Sequence, residues 1–300
     1  MIYKEWMKYI KDDVKITQVI MPGTHNAGSY GMIPFACCQD GTLYTQFAYG
    51  VRHFCIRYCG NKKNGIVLCH GLAKGRPLAE ALEDIRRMIE ENDSEFFILD
   101  MREYYPQRFG PISLSYPADD NEVLALIEKY LAPEKYAYTD YEHVSEITFG
   151  DIRKSGKRYL IVNYRNAYQP WSRECESVNP WNPTRHGKQP QVFAAEVLMH
   201  FNEVQSDGIY WFQTQQTPGP GTDMGLRNPR KLEKGLLPYY NQILERVAAN
   251  KFYLNSANVI SGDFMTADYS KCREIIKLNL LKGTVKEELR NEFERELNSK

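Results

Sequence analysis

Two histidines occupy positions in the sequence where an imidazole could act as an acid or a base. His25 lies in a stretch of small residues, Met21-Pro-Gly-Thr-His-Asn-Ala-Gly-Ser-Tyr30, directly after an apolar run. His70 ends a second apolar run, Val67-Leu-Cys-His-Gly-Leu72. Because the ordinary pKa of histidine is about 6.5, two imidazoles at one site can supply a general base and a general acid near neutral pH.

An arginine and an aspartate lie near the ends of two further apolar runs. Arg57 belongs to the run at residues 51–58, and Asp263 to the segment Ile260-Ser-Gly-Asp-Phe264. A guanidinium matches phosphate oxygens and stabilises charge that develops on them. A carboxylate beside a histidine fixes its tautomer and raises its basicity. The four side chains together indicate acid–base cleavage of a phosphodiester without an obligatory metal.

An alternation of strands and helices would position these side chains at one end of a barrel. Short apolar runs, several of them continuous, predict strands at 16–21, 51–58, 66–69, 96–101, 158–164, 208–214 and 258–264. Amphipathic stretches predict helices at 78–91, 122–131, 190–202 and 237–249. About seven alternations favour an α/β fold of the distorted TIM type, a (β/α) barrel, in which active sites lie at the carboxyl ends of the strands.

The chain is interpreted as one barrel domain over residues 1–282 and a C-terminal helical tail over residues 283–300. Thr284 and Glu287 form a capping-box pattern, which predicts the start of a helix. Apolar residues then recur at steps of four, at Val285, Leu289, Phe293 and Leu297. We expect this amphipathic helix to pack on the barrel, with a partner-binding or membrane helix as the alternative.

Composition and charge exclude several classes of protein. Lys plus Arg and Asp plus Glu each number 38 in 300 residues, so the formal net charge is zero and nucleic acid is not an expected partner. No apolar run reaches the roughly 18 residues of a membrane-spanning helix, and the N-terminus shows no signal peptide. The protein is expected to be cytoplasmic or, if a signal precedes this sequence, secreted, and in either case peripheral at membranes.

The seven cysteines are predicted to be reduced and to bind no metal. Their odd number does not suit a disulfide framework in a chain of this size. The spacing of Cys55, Cys59 and Cys69 fits no standard zinc site.

Four motifs, taken in order, resemble a known family. The sequence is similar to the X-domain of phosphatidylinositol-specific phospholipase C in these motifs, which are Met-Pro-Gly-Thr-His25-Asn, Gly50-Val-Arg-His-Phe-Cys-Ile-Arg57, Leu-Cys-His70-Gly and Ser-Gly-Asp263-Phe. The likeness is greatest to the bacterial and X-domain-only members. It implies a distorted TIM barrel and an enzyme that cleaves phosphatidylinositol to diacylglycerol and inositol 1,2-cyclic phosphate.

The resemblance also implies a role for each of the four residues. His25 matches the general base that takes the proton of the inositol 2-hydroxyl, and Asp263 matches the carboxylate that orients it. His70 matches the general acid that protonates the departing diacylglycerol oxygen. Arg57 matches the arginine that binds the phosphate. Attack within one molecule is favourable because the nucleophile is already held next to phosphorus.

Three positions differ from one branch of the family or the other. Calcium-dependent members carry acidic metal ligands where this sequence has Cys55 and Arg57. A guanidinium cannot ligate Ca²⁺, so we expect no metal and no cofactor. Asn26 stands where metal-independent bacterial members have an aspartate that assists the general acid, which predicts reduced activity or a shifted pH optimum.

Two alternative functions remain open on the sequence. One is an inactive or weakly active X-domain that binds inositol lipids. The other is a metal-dependent glycerophosphodiester phosphodiesterase, for which the sequence lacks a carboxylate cluster at the strand end of Arg57.

The remaining candidate residues concern the lipid substrate, which is phosphatidylinositol or a related inositol phospholipid. Arg102, and Tyr164 with Arg165, end two further predicted strands, where the resemblance implies contacts to inositol. Trp181 and Trp171 lie in proline-containing segments, and indole rings suit the interface between lipid headgroups and water. We therefore expect transient docking on a membrane surface, with Trp181 also near the substrate.

Overall fold

A curled sheet of mainly parallel strands forms the centre of the protein in the computed structural model. The structure describes residues 2–104, 108–109, 112–113, 115–162, 172–173, 176–178, 189–204, 208–217, 228–267 and 269–299. The strands are β1 (Met21–Thr24), β2 (His53–Asn61), β3 (Gly65–His70), β4 (Ala73–Pro77), β5 (Phe97–Glu103), β6 (Arg108–Phe109), β7 (Ile112–Ser113), β8 (Tyr159–Val162), β9 (Ser172–Arg173), β10 (Glu176–Val178), β11 (Tyr210–Gln213) and β12 (Val259–Gly262). The helices are α1 (Leu43–Ala48), α2 (Leu78–Glu91), α3 (Asp120–Leu131), α4 (Pro133–Tyr136), α5 (Phe149–Ser155), α6 (Pro190–His200), α7 (Pro229–Ala249), α8 (Lys251–Ser256), α9 (Tyr269–Lys282) and α10 (Arg290–Asn298).

The order of the strands shows how the sheet curls. Along the sheet they follow the order β10, β11, β12, β1, β2, β5, β8 and β9, and neighbours on this path are parallel. β3 and β4 are antiparallel additions beside β2, and β6 and β7 form a separate small hairpin. Helices cover the sheet, so the described residues form an α/β fold of the distorted-barrel type.

Alternate residues of the strands pack on opposite faces of the sheet, as the period of an extended chain requires. In β2 and β5, Phe54 and Leu99 belong to the core between the sheet and helices such as α2 and α7. Their neighbours Cys55 and Ile98 belong to a second core on the other face. Both faces are buried, which explains why these strands read as continuous apolar runs.

One predicted strand is wrong. Residues 16–21 form a 3₁₀ turn at Ile16–Gln18 followed by β1, which begins only at Met21. The side-chain amide of Asn258 donates to the carbonyls of Ile16 and Val19, so these main-chain groups do not pair with a neighbouring strand. Ile16, Val19 and Met21 are buried in the second core and Ile20 in the first, which satisfies the hydrophobic pattern without a strand.

Helix α7 begins earlier than the sequence predicts. The predicted helix at 237–249 starts instead at Pro229, and the side chain of Asn228 accepts a hydrogen bond from the Lys231 amide as its N-cap. Pro238 lies inside the helix. The prediction missed two turns because a proline is typical of the start of a helix rather than of its interior.

The C-terminal segment packs against the N-terminal segment. The ring of Phe293 in α10 lies 4.9 Å from that of Tyr9, and the Lys286 amide donates to the Tyr9 carbonyl. The predicted capping box at Thr284 is wrong, because the Thr284 hydroxyl donates to Asn279 and α10 begins only at Arg290. None of the helices in the described ranges is long and apolar enough to cross a membrane.

A buried ion pair ties the N-terminal segment to the barrel, and its loss should destabilise the fold. Arg52 Nε donates to Glu95 Oε2 at 2.6 Å, its Nη2 donates to the Tyr3 and Lys4 carbonyls, and Glu95 accepts from the Met7 amide. Glu95→Ala would leave the Arg52 charge buried and unpaired, which costs about 3–5 kcal/mol.

Urea unfolding would measure this cost, with Glu90→Ala as the matched control. Glu90 pairs with Arg86 on the exposed face of α2, and such exposed pairs contribute less than about 1 kcal/mol. Equal losses of unfolding free energy in the two variants would contradict the prediction.

Candidate active site

The pairing of β1 with β12 brings His25 and Asp263 together. The register aligns Thr24 with Gly262, and each strand ends there, so the next residue of each chain segment lies at the same end of the barrel. His25 Nδ1 lies 2.8 Å from Asp263 Oδ1, and both side chains are buried. The carboxylate accepts from Nδ1–H, which leaves the lone pair of the imidazole on Nε2.

Glycine at position 23 makes this close packing of strands possible. A Cβ on Gly23 would lie 2.7 Å from Val259 Cγ1 in β12 and 3.2 Å from His53 Nδ1 in β2. The glycine two residues before His25 therefore allows β1 to lie between its two neighbours.

Arg57 and His70 reach the same place from β2 and β3. Arg57 Nη2 donates to His25 Nε2 at 3.2 Å. The rings of His25 and His70 are edge to face with their centroids 6.0 Å apart. β3 runs antiparallel to β2 with Leu68 opposite Tyr58, so its last residue, His70, returns to the level of the residue before Arg57. The structure thus brings together the four residues that the sequence singled out.

Burial holds both imidazoles neutral. The pKa of His25 is well below its usual value, because the ring is buried and because Arg57 and Arg102 are positively charged. Burial and the neighbouring His25 lower the pKa of His70 to about 4, although its contact with the Ala36 carbonyl opposes this shift. His70 Nδ1 lies 2.9 Å from that carbonyl, which accepts from Nδ1–H. A neutral His25 is ready to act as a base, whereas His70 must gain a proton to act as an acid.

Burial also raises the pKa of Asp263 well above its usual value, against the effects of the Cys38 thiol and of Arg57. Burial therefore disfavours the charged form of both the carboxyl group and the imidazole that it contacts.

A cavity of about 300 Å³ opens beside these residues. Its lining comprises the four residues already named together with a thiol, a glycine, a tyrosine and a polar stretch that begins at the end of β11: His25, Cys38, Arg57, His70, Gly71, Tyr104, Gln213, Gln215, Gln216, Thr217 and Asp263. The amides after β11 were missed by sequence reasoning, because a glutamine at a strand end is not by itself a signal of binding.

Cys38 is a further member of the site that the sequence did not indicate. Its side chain is buried, and its Sγ lies 3.6 Å from His70 Nδ1 and 3.8 Å from Asn26 Nδ2. Asn26 adopts a left-handed conformation with φ 45°, and its Oδ1 has no hydrogen-bond partner among the described residues. The thiol of Cys38 therefore contacts both Asn26 and His70, the predicted acid.

The candidate substrate contacts differ in where the structure places them. Arg102 donates from Nε to Asp100 at 2.8 Å, and its guanidinium lies 4.9 Å from the centre of the Trp211 ring. It neighbours Arg57 in the register of β2 and β5 but does not line the cavity. The other candidates lie outside the described residues: Tyr164, Arg165, Trp171 and Trp181.

Among the described residues, one group of three side chains could hold a metal ion together. His25, Cys38 and Asp263 each offer a ligand atom, and these atoms lie within 4.8 Å of one another. Cys55 is separated from Cys59 and Cys69, because it packs in the second core whereas they form a small cluster of their own with Val67. Asp263 supplies the single carboxylate among the residues that line the cavity.

Part of the sequence is similar to two curated bacterial proteins. A 1-phosphatidylinositol phosphodiesterase of Staphylococcus aureus is 28% identical over 108 residues, which cover 34% of this chain and 35% of that protein. The protein of the same name from Listeria monocytogenes is 30% identical over 108 residues, or 33% of each chain. The matched segment thus spans about a third of the curated relatives. No family model matches the sequence.

The fold is similar to solved structures over nearly the whole chain. The phosphatidylinositol-specific phospholipase C from Listeria monocytogenes superposes with a TM-score of 0.66 at 19% identity and covers 93% of this chain and 99% of its own. A pentafluoro-Phe form of the Staphylococcus aureus enzyme gives a TM-score of 0.65 at 15% identity, over 95% and 98% of the two chains. The predicted distorted barrel is confirmed.

Proposed function

We propose that this protein is a phosphatidylinositol-specific phospholipase C that forms diacylglycerol and inositol 1,2-cyclic phosphate without a bound metal. The observation that carries the proposal is the contact between His25 and Asp263 beside Arg57, in a cavity that His70 also lines. The names of the curated relatives, both 1-phosphatidylinositol phosphodiesterases, support the choice of substrate.

In the proposed reaction His25 is the base. Its Nε2 lone pair accepts the proton of the inositol 2-hydroxyl, while Asp263 holds Nδ1–H and stabilises the imidazolium that forms. In the free protein Arg57 donates to that lone pair. An incoming phosphate, whose oxygens match the guanidinium better, would draw Arg57 away and free Nε2.

His70 is the proposed acid. Its low pKa in the free protein leaves it unprotonated at neutral pH. A bound phosphodiester anion stabilises the imidazolium and so raises this pKa. The proton then passes to the diacylglycerol oxygen as the bond between that oxygen and phosphorus breaks, and Arg57 stabilises the charge on the remaining phosphate oxygens.

Cleavage of phosphatidylinositol in mixed micelles, with and without EDTA, tests the proposal. Phosphorus NMR should show a cyclic inositol phosphate in both samples. Activity that disappears with EDTA would favour the metal-dependent glycerophosphodiester phosphodiesterase instead. Binding of the lipid with no product in either sample would favour an X-domain that binds inositol lipids without cleaving them.

Asn26→Asp is expected to raise activity and to move the alkaline limb of the pH–rate profile to higher pH. A carboxylate at this position would lie next to Cys38, which contacts His70. Negative charge favours the imidazolium, so it raises the pKa of His70 and keeps the acid protonated at higher pH. The profile of kcat/KM measures this shift. An unchanged alkaline limb would mean that another group already supplies the negative charge.

An apolar patch beside the cavity is the proposed membrane contact. Ile33, Phe35 and Leu72 are 62%, 60% and 61% exposed. Ile33 and Phe35 precede Ala36, whose carbonyl contacts His70, and Leu72 lies two residues after His70. The patch therefore flanks the opening through which a lipid headgroup would enter.

Phe35→Ser should weaken binding to phosphatidylcholine vesicles by about tenfold or more, because burying such a side chain contributes about 1.5–3 kcal/mol and each 1.4 kcal/mol is about tenfold. Phe252→Ser is the matched control. Phe252 is 53% exposed on α8, which precedes β12 and so lies at the end of that strand opposite Asp263. Equal loss of vesicle binding in the two variants would contradict this placement of the membrane contact.

A further inference from the structure

One nucleophilic group at the site has no part in the proposed reaction. Cys38 lies in the segment between β1 and α1, and its side chain is 1% exposed. It is a free thiol whose Sγ faces the predicted base, its carboxylate and the predicted acid. Because Cys38 lies among the predicted catalytic residues, we ask what chemistry its thiol could perform there.

The ligand atoms around Cys38 match the requirements of a soft divalent cation. Thiolate, imidazole and carboxylate are the three ligand types that Zn²⁺ takes in proteins, and atoms of Cys38, His25 and Asp263 lie within 4.8 Å of one another. Ca²⁺ and Mg²⁺ prefer oxygen donors, so a thiolate selects against them. Once the ion has displaced the thiol proton, the thiolate and the carboxylate would carry two negative charges, which balance those of the ion.

We propose that His25, Cys38 and Asp263 form a site for a thiophilic divalent cation such as Zn²⁺, and that the bound ion inhibits the enzyme. The three side chains would supply three ligands, and because all three residues line the cavity, water there could complete a tetrahedral set. Inhibition rests on the proposed function, whereas binding of the ion does not.

Inhibition follows whichever nitrogen of His25 binds the ion. If Nε2 is the ligand, its lone pair is no longer available to the inositol hydroxyl. If Nδ1 is the ligand, the single proton of the neutral ring moves to Nε2, which again removes the lone pair. The thiol proton of Cys38 leaves to solvent as the sulfur–metal bond forms, so no oxidant or reductant takes part.

A titration with Cd²⁺ tests the site without any measurement of catalysis. Cd²⁺ is thiophilic like Zn²⁺, and its bond to a thiolate gives an ultraviolet charge-transfer band. We expect one equivalent to saturate the band in the wild-type protein, and Zn²⁺ to displace it. Cys38→Ser should weaken binding more than about 100-fold, since even residues that only orient metal ligands change affinity by about 10- to 100-fold.

Cys59→Ser is the matched control, because Cys59 is also buried but contacts Cys69 in a separate cluster. Its band should equal that of the wild type. A band that survives in Cys38→Ser, or that is lost only in Cys59→Ser, overturns the proposal. Circular dichroism checks that each variant is folded, and His25→Gln gives a second test that leaves the thiol in place. Its affinity should fall by a similar factor, and an unchanged affinity overturns the proposed ligand set.

A separate activity measurement distinguishes the two proposals. In an active wild-type protein, Zn²⁺ should abolish cleavage and EDTA should restore it. Full activity with the site saturated by Zn²⁺ would overturn the inhibitory role. Binding through Cys38 in a protein that never cleaves phosphatidylinositol would support the metal site while the proposed function fails.

Discussion

His25→Ala is expected to lower the turnover of phosphatidylinositol by about 10²- to 10⁴-fold, the usual contribution of a general base. The Nδ1 atom of this side chain contacts Asp263 and its Nε2 atom contacts Arg57. Its removal leaves the inositol hydroxyl without a proton acceptor and the carboxyl group without its imidazole. Release of inositol phosphate from mixed micelles measures the effect.

The control for this variant is His143→Ala, which removes an exposed imidazole from a segment that does not line the cavity. It should retain the turnover of the wild type. Near-wild-type turnover in His25→Ala, with the fold verified by circular dichroism, would contradict the assignment of the base.

His70→Ala is expected to cause a loss of similar size, but one that depends on the leaving group. A diacylglycerol oxygen is strongly basic and must be protonated as it departs, which is the task assigned to His70. A nitrophenolate departs without a proton. The variant should therefore lose about 10²- to 10⁴-fold with phosphatidylinositol and far less with a nitrophenyl ester of inositol phosphate.

The two histidine variants form a matched pair on the nitrophenyl substrate. His25→Ala should remain impaired there, because the 2-hydroxyl still needs a base whatever group departs. If the nitrophenyl substrate restored the turnover of both variants equally, or of neither, the division of roles between the two imidazoles would be wrong.

The sequence predicted the barrel and the meeting of His25 with Asp263 for the same physical reason. In a parallel sheet the side chains at strand ends converge, so an apolar run followed by a polar residue marks the active end. This reasoning succeeds for His25 after β1 and for Asp263 after β12. For His70 it reached the right place by a different route, since β3 is antiparallel and returns to the site as part of a hairpin.

What the sequence could not predict depends on contacts between distant segments. Cys38 lies in a loop with no periodic pattern, and its approach to His70 depends on how the loop folds back. Arg102 looked available for the substrate, yet its guanidinium is held by Asp100, two residues earlier on the same strand. The segment at 16–21 was wrongly predicted as a strand for another reason. An apolar run indicates that its side chains are buried, but it does not distinguish a strand from a 3₁₀ turn.

The pairing of β1 with β12 has a consequence for the biosynthesis of the protein. His25 and Asp263 are separated by 238 positions in the chain and meet through the last strand of the sheet. A ribosome-bound chain that has not yet released β12 holds the imidazole without its carboxylate, however much of the barrel has formed. The pair on which the proposed reaction depends is therefore complete only once the final strand docks beside the first, so a chain that lacks this pairing is expected to be inactive.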